Sequence, residues 1–408
     1  MAPVATELAQ STSERIQSLK EQAKADEDVS VFNPFYSPSI GDDGDASYEH
    51  AQYKPFFPKV SWPPLTEVEV VDRAQFADPS KKNLLGAASK VITLNPTIGT
   101  ELHGIDLRQL SEAQKDELYV FLRFEEHSLS IRIFRDQEID INGQLELARH
   151  FGPLHKHATT PIPQIGLEEV HVVYNDSSRR PDPAAFSALE LWHSDVSYEL
   201  QPPSTTSLKV IAGPEYGGDT LWSSGYALFS SFSPGFQKYL EGLSAVHSGV
   251  AQAEGSRAAG LHVRREPVES VHPVVRVHPV TGFKSIYVNP GFTRRIVGVP
   301  KAESDALLQL LFQQLSQNPE FQVRFRWEKN SVVFWDNRIV THSATFDFWP
   351  ARRHALRATP HGEKPISVAE YEASGKVAKD RRIEVWRQQG LEPPHVGGGP
   401  AKVRGYND

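Results

Sequence analysis

From Glu168 to Gly218 and again from Val271 to Thr359, apolar and polar residues alternate in short runs that stop at Pro, Gly or Asn. VHVVYND, TSLKVIA, DTLWSS, VVRVHP, KSIYVNP, FQVRFRWE, SVVFWD and RRHALRAT are such runs. A period of two is the signature of strands, and the punctuation marks turns. LWHSDVSYE (191–199) reads as one more strand, and SKVITLNP (89–96) and SLSIRIFRDQ (128–137) as earlier ones. Helical spacing governs SEAQKDELYVFLRFEE (111–126), opened by a Ser111 to Gln114 capping box, and INGQLELARHFG (141–152). It also governs the stretch around 225–242 and KAESDALLQLLFQQLSQ (301–317). Many short strands without strand–helix–strand alternation predict an antiparallel sheet architecture, a jelly roll with helices packed outside.

The ends of the chain are different. Residues 1–65 have no sustained period and carry GDDGDASYEHAQYKPFFPKVSWPP, predicting an extended arm, partly disordered or draped over the body. The compact domain is expected over 66–365. A charged helix near 367–389 and a glycine-rich tail, GGGPAKVRGYND, make residues 366–408 peripheral and flexible in this reading.

Composition narrows the function more than the fold. Net charge is −8, from 43 basic and 51 acidic residues, without a basic stripe, so nucleic acid is not an expected partner. No apolar run reaches membrane-spanning length and no secretory signal opens the chain, so no membrane partner is expected and the predicted compartment is the cytoplasm. Cysteine is absent, which removes disulfides, thiolate metal sites and a cysteine nucleophile. The single methionine is Met1.

In a strand, residues two apart face the same side, so His193 and Asp195 would present an imidazole and a carboxylate together. The pair alone is equally compatible with a polar strand face, since the chain has 16 histidines. His342, at the end of the apolar run in SVVFWDNRIVTHSATF, is a candidate third ligand. Two histidines and one carboxylate form the facial triad of non-haem Fe(II) oxygenases and leave coordination positions open.

WHSDVSYE, GPEYGGDTLWSS, VVFWDNRIVTHSATF and RRHALRAT occur in that order, after NPTIGTELHGIDLRQLS and FRDQ…LARHFGPLHKH. Together they resemble the taurine/2-oxoglutarate-dependent dioxygenase family, closest to its fungal-type sulfonate dioxygenases. The resemblance implies a mostly β fold with flanking helices, a double-stranded β-helix of the cupin-like jelly-roll type. It implies His193, Asp195 and His342 as ligands of Fe(II), with 2-oxoglutarate and O2 as cosubstrates. Thr220 and Arg353 would hold the far carboxylate of 2-oxoglutarate, a task suited to a guanidinium fork with a hydroxyl partner. Arg357, four residues beyond Arg353, and His157 would bind the anionic group of a small substrate. Val196, Trp192 and Phe346 are candidate pocket lining, and the apolar core is the stronger expectation for each.

The implied reaction converts 2-oxoglutarate to succinate and CO2 and hydroxylates the substrate. Beside a sulfonate, hydroxylation would release sulfite and an aldehyde; the near absence of sulfur from the chain, which taken alone reads first as compositional drift, would then suit an enzyme made under sulfur shortage. Alkyl sulfates, aryloxyalkanoates or biosynthetic anions would suit the same cation. A zinc hydrolase using His155 and His157, or a non-catalytic jelly-roll binding protein, are readings from other classes. A homo-oligomer is an expectation by family analogy.

Overall fold

The computed structural model describes residues 17, 30–35, 43–119, 130–388 and 390. Its largest sheet has seven strands in the order Lys90–Thr93, Thr100–His103, Ile131–Phe134, Val332–Asp336, Thr205–Ala212, Arg353–Ala358, Val170–Asn175. Every neighbouring pair is antiparallel except Thr100–His103 with Ile131–Phe134. A second sheet joins Gln322–Phe325, Thr220–Ser224 and Val340–Ala344, all antiparallel. The main core combines residues of both sheets: Leu208, Val333, Trp335 and Ala355 from the first, and Trp222, Phe325 and Val340 from the second. Trp222 and Trp335 meet at 5.6 Å between ring centroids, both fully buried. Two sheets sharing one core form the double-layered β-helix of a jelly roll, with the helices outside it.

The alternating runs became strands, and the central ones are covered on both faces: every residue of Val332–Asp336 is buried, as are the first six of Thr205–Ala212. Helix Lys301–Gln317 follows its predicted bounds, burying Leu308, Leu311 and Leu315. The Ser111 capping box also forms: Ser111 N–H donates to Gln114 Oε1 at 2.9 Å, and Gln114 N–H to Ser111 Oγ at 3.3 Å. The helix it opens is described over Glu112–Tyr119, and the rest of the predicted 111–126 lies outside the described residues.

Three readings are corrected. The helix expected around 225–242 is two, Gly225–Ser231 and Pro234–Glu241, because Pro234 has no N–H to continue the first and its fixed φ suits the first turn of the second. The helix expected near 367–389 is likewise two, Val368–Ala373 and Arg381–Gln388, parted by Gly375 at φ 80°. LWHSDVSYE is not a strand: His193 makes a single bridge and residues 195–198 turn. Among the described residues no helix is long and apolar enough to cross a membrane.

Part of the N-terminal stretch lies on the body. Ser30–Phe32 pairs in parallel with Arg179–Pro181, Phe56 bridges Ile162, and Trp62 N–H donates to Arg264 O at 2.6 Å.

Candidate metal and anion site

The site starts from one bridge. His193 N–H donates to His342 O at 2.9 Å and His342 N–H to His193 O at 2.8 Å. Directly opposed residues of such an antiparallel pair present their side chains on the same face, which brings the two imidazoles to 4.2 Å between centroids. Asp195 arrives by a turn rather than by strand alternation. Val196 adopts φ 39°, a conformation a β-branched residue takes only against strain, and the chain folds back directly after the carboxylate. Asp195 Oδ1 then lies 3.7 Å from His193 Nε2 and 3.6 Å from His342 Nε2. One ligand atom from each of the three residues falls within 4.8 Å of the others, the only such group among the described residues.

Protonation matches that geometry. His193 Nδ1 is 2.8 Å from Leu191 O, so this nitrogen carries the hydrogen and Nε2 keeps its lone pair. His342 is buried and neither ring nitrogen has a hydrogen-bond partner among the described residues. Burial lowers the pKa of both imidazoles and keeps them neutral. For Asp195 burial acts upward, but the Arg357 guanidinium, helped by the Thr206 hydroxyl, outweighs it and holds the carboxyl well below the usual range. Two neutral nitrogens and one anionic oxygen converging beside an orphaned buried imidazole fit a divalent transition metal.

Behind the carboxylate stands a relay that the sequence did not flag. Thr206 Oγ donates to Asp195 Oδ2 at 2.7 Å, and Asn337 Nδ2 donates to Thr206 Oγ at 2.7 Å. Asn337 Oδ1 accepts from Trp335 Nε1 at 3.0 Å and from Asp195 N–H at 3.3 Å. Such supports orient ligands and tune them. Their only trace in the sequence is a threonine and an asparagine at the ends of two apolar strands.

A cavity of about 180 Å³ adjoins the metal-ligating group, bordered by His193, His342, Thr220, Arg353 and Arg357 among others. Gly217 and Gly218 have φ 77° and 68°, and a Cβ on Gly218 would stand 3.0 Å from Arg353 Cδ. Those glycines let the chain turn into Thr220 while the arginine passes beside it. Arg353 is buried, donates from Nε to Gly218 O at 3.0 Å, and has its pKa pushed down to about 10 by burial and then by Arg357. Thr220 Oγ accepts from Trp327 Nε1 at 2.9 Å. Arg357 reaches the same cavity from the same strand and donates from Nη1 to Asp195 Oδ1.

Other expected residues stand further back. His157 Nδ1 accepts from the backbone N–H of Thr159 and of Thr160, each at 3.1 Å, so Nε2 bears the hydrogen. Thr159 and Thr160 border the cavity, while His157 packs behind them against His171 at 4.8 Å between centroids. His155 is bonded to Glu199 through Nε2 at 2.9 Å, and this pair does not join His157 in a metal-ligating group. Val196 is buried against Tyr198 and Phe292, and Trp192 in a separate apolar cluster; Phe346 borders the cavity. Tyr198 donates to Gln252 Oε1 at 2.9 Å, and Asn289 Nδ2 donates to Ser197 Oγ at 3.0 Å. Phe32, Pro34 and Phe35, from the stretch read as an arm, border the cavity as well.

Residues 90–359 match the family of taurine catabolism dioxygenases described as TauD, TfdA family. A Saccharomyces cerevisiae protein named alpha-ketoglutarate-dependent sulfonate dioxygenase is 40% identical over 324 residues, 76% of each chain. The Penicillium expansum alpha-ketoglutarate-dependent dioxygenase cnsP is 41% identical over 336 residues, 78% of this chain and 87% of that one. The crystal structure of a taurine dioxygenase from Burkholderia xenovorans superposes with a TM-score of 0.58 at 31% identity, covering 69% of this chain and 93% of that one.

Proposed function

This chain belongs to the TauD/TfdA family of non-haem Fe(II)- and 2-oxoglutarate-dependent dioxygenases, and we propose that its substrate is a small alkanesulfonate hydroxylated at the carbon next to sulfur. The observation that carries the reading is a second guanidinium, Arg357, bordering the cavity beside the His193, Asp195 and His342 group. One cation is accounted for by the cosubstrate, so the other calls for an anionic substrate. The sulfonate identity is supported by the name of the yeast relative.

In this reading His193, Asp195 and His342 hold Fe(II), which together with 2-oxoglutarate and O2 supplies the oxidising chemistry. Thr220 and Arg353 grip the far carboxylate of 2-oxoglutarate. Arg357 and His157 orient the substrate's anionic group, His157 from behind the Thr159–Thr160 backbone, and Val196 stiffens the turn that carries Asp195. Arg357 is neutralised by Asp195 in the structure; with that carboxylate engaged as a metal ligand the pairing would weaken, and the Arg357 guanidinium would be available to an external anion. The apolar walls exclude bulk water from the reacting carbon. Hydroxylation there gives a hydroxysulfonate that breaks down to sulfite and an aldehyde, feeding sulfur assimilation in the cytoplasm.

Since cnsP is named a dioxygenase without mention of a sulfonate, an alkyl sulfate, an aryloxyalkanoate or a biosynthetic anion is the second reading. Anaerobic loading with Fe(II) and 2-oxoglutarate, followed by O2 and a panel of these anions, separates the two. Sulfite equal to succinate for a sulfonate supports the proposal. Succinate without sulfite across every sulfonate, with turnover of another anion, overturns it.

A further inference from the structure

The cavity is not closed by the family-matched residues alone. Phe32, Pro34 and Phe35 border it, yet they lie far upstream of residue 90, where that match begins. They are held there by specific contacts. Ser30–Phe32 pairs with Arg179–Pro181, Asp182 N–H donates to Phe32 O at 2.8 Å, and Asn33 Nδ2 donates to Ala185 O at 2.8 Å. The Arg179 guanidinium lies 5.0 Å over the Phe32 ring. Asn33 Oδ1 then accepts from Phe35 N–H at 2.9 Å, a local turn that swings the Phe35 side chain inward. The ring lands edge-on against His193 at 5.3 Å between centroids and tilted against Phe292 at 5.3 Å. Gly291 is shaped to this arrival, for a Cβ there would come within 2.7 Å of Phe35 Cζ.

The rest of the wall has a consistent chemistry. Beside the two guanidinium groups, apolar residues such as Leu191, Leu208 and Phe346 join Phe32 and Phe35, and no Asp or Glu borders the cavity among the described residues. An ammonium group in this space would leave water for a largely apolar wall and face Arg357, and the carboxylate of the adjoining site, Asp195, is already paired with that guanidinium. A hydrocarbon tail would lose only its hydration and gain contacts.

We infer that residues 30–35 are part of the substrate site, with Phe35 a specificity-determining residue that selects anions with an apolar tail over zwitterions such as taurine. This deepens the sulfonate reading and rests on it for the head group. It assigns the tail to a segment outside the family-matched domain.

The test is calorimetric binding to the intact protein, loaded anaerobically with Fe(II) and 2-oxoglutarate, of linear alkanesulfonates and alkyl sulfates from two to six carbons, and of taurine. Each methylene entering an apolar site tightens binding by about fourfold. The wild type is expected to show that increment along both series and to bind taurine more weakly than propanesulfonate. Phe35→Ala is expected to flatten the increment, Phe35→Leu to restore most of it, and both to leave the affinity for 2-oxoglutarate unchanged. An increment in Phe35→Ala equal to that of the wild type overturns the inference, as does wild-type taurine binding as tight as that of propanesulfonate. If the increment appears for both series and only sulfates are turned over, the sulfonate head group is wrong while the role of Phe35 stands.

Discussion

Thr206 touches neither metal nor substrate, yet the structure makes it a sensitive place to disturb the site. The informative change is Thr206→Val, which keeps the branched shape in the strand Thr205–Ala212 and removes one hydroxyl. Thr206 is fully buried and its Oγ both donates to Asp195 Oδ2 and accepts from Asn337 Nδ2, each at 2.7 Å. A hydrogen bond to a charged group is worth about 1.5–3 kcal/mol, and leaving its partner buried without one forfeits most of that. The carboxylate loses a fixed orientation as well as a hydrogen bond, so the metal-binding state is penalised relative to one in which Asp195 turns away from His193 and His342. Fe(II) affinity, read anaerobically by competition with a chromophoric chelator, is expected to fall roughly 10- to 100-fold, the range found for ligand-supporting residues. Thr206→Ser, which keeps the hydroxyl, is expected to stay close to wild type, and KM for 2-oxoglutarate at saturating iron to change little. An Fe(II) affinity for Thr206→Val within twofold of wild type would refute the argument that this relay positions Asp195.

Arg357→Ala is expected to raise KM for the substrate far more than KM for 2-oxoglutarate in steady-state succinate assays; equal changes would mean that the roles of Arg353 and Arg357 are misassigned. Gly218→Ala places a Cβ 3.0 Å from Arg353 Cδ at φ 68°, so it is expected to cost about 1–2 kcal/mol in denaturant unfolding and to raise KM for 2-oxoglutarate, and unchanged values for both would contradict the packing account. Burial pushes His272 and His361 down to about 4 and His354 to about 3. These imidazoles charge in the unfolded chain before they charge in the folded one, so their contribution is intact above the ordinary 6.5 and lost as pH falls toward the folded values. By pH ~5 the loss is about 2 kcal/mol for each, expected as a steep fall in unfolding free energy between pH ~7 and ~5 that His361→Gln makes shallower; a flat profile would refute it.

How much of the site was legible depended on whether chemistry or geometry carried the information. His193, Asp195 and His342 could be picked out because only certain residue types ligate a divalent metal, whereas Thr220 of the GGDT run came from the family resemblance, and only the structure shows that Gly217 and Gly218 are left-handed. Arg353 likewise came from the resemblance, and the spacing of four residues on one strand then placed Arg357 on the same face. The reason offered for pairing His193 with Asp195 was nevertheless wrong, since the two meet through a turn after a bridge to His342. Nothing in a local pattern announces a bridge between residues so distant in sequence.

The sequence by itself determined the antiparallel β class, most strand positions, helix Lys301–Gln317 and the ligand types, because alternation, capping and donor chemistry are local properties of neighbouring residues. Tertiary structure decided what only cross-chain registry can set. It supplied the turn that aims Asp195, the Thr206–Asn337 relay behind it, and the seating of Phe35 on His193. Each of these depends on segments far apart in sequence being brought within a hydrogen bond or a ring contact by burial of the shared core. That placement is a property of the packed sheets, and no single segment encodes it.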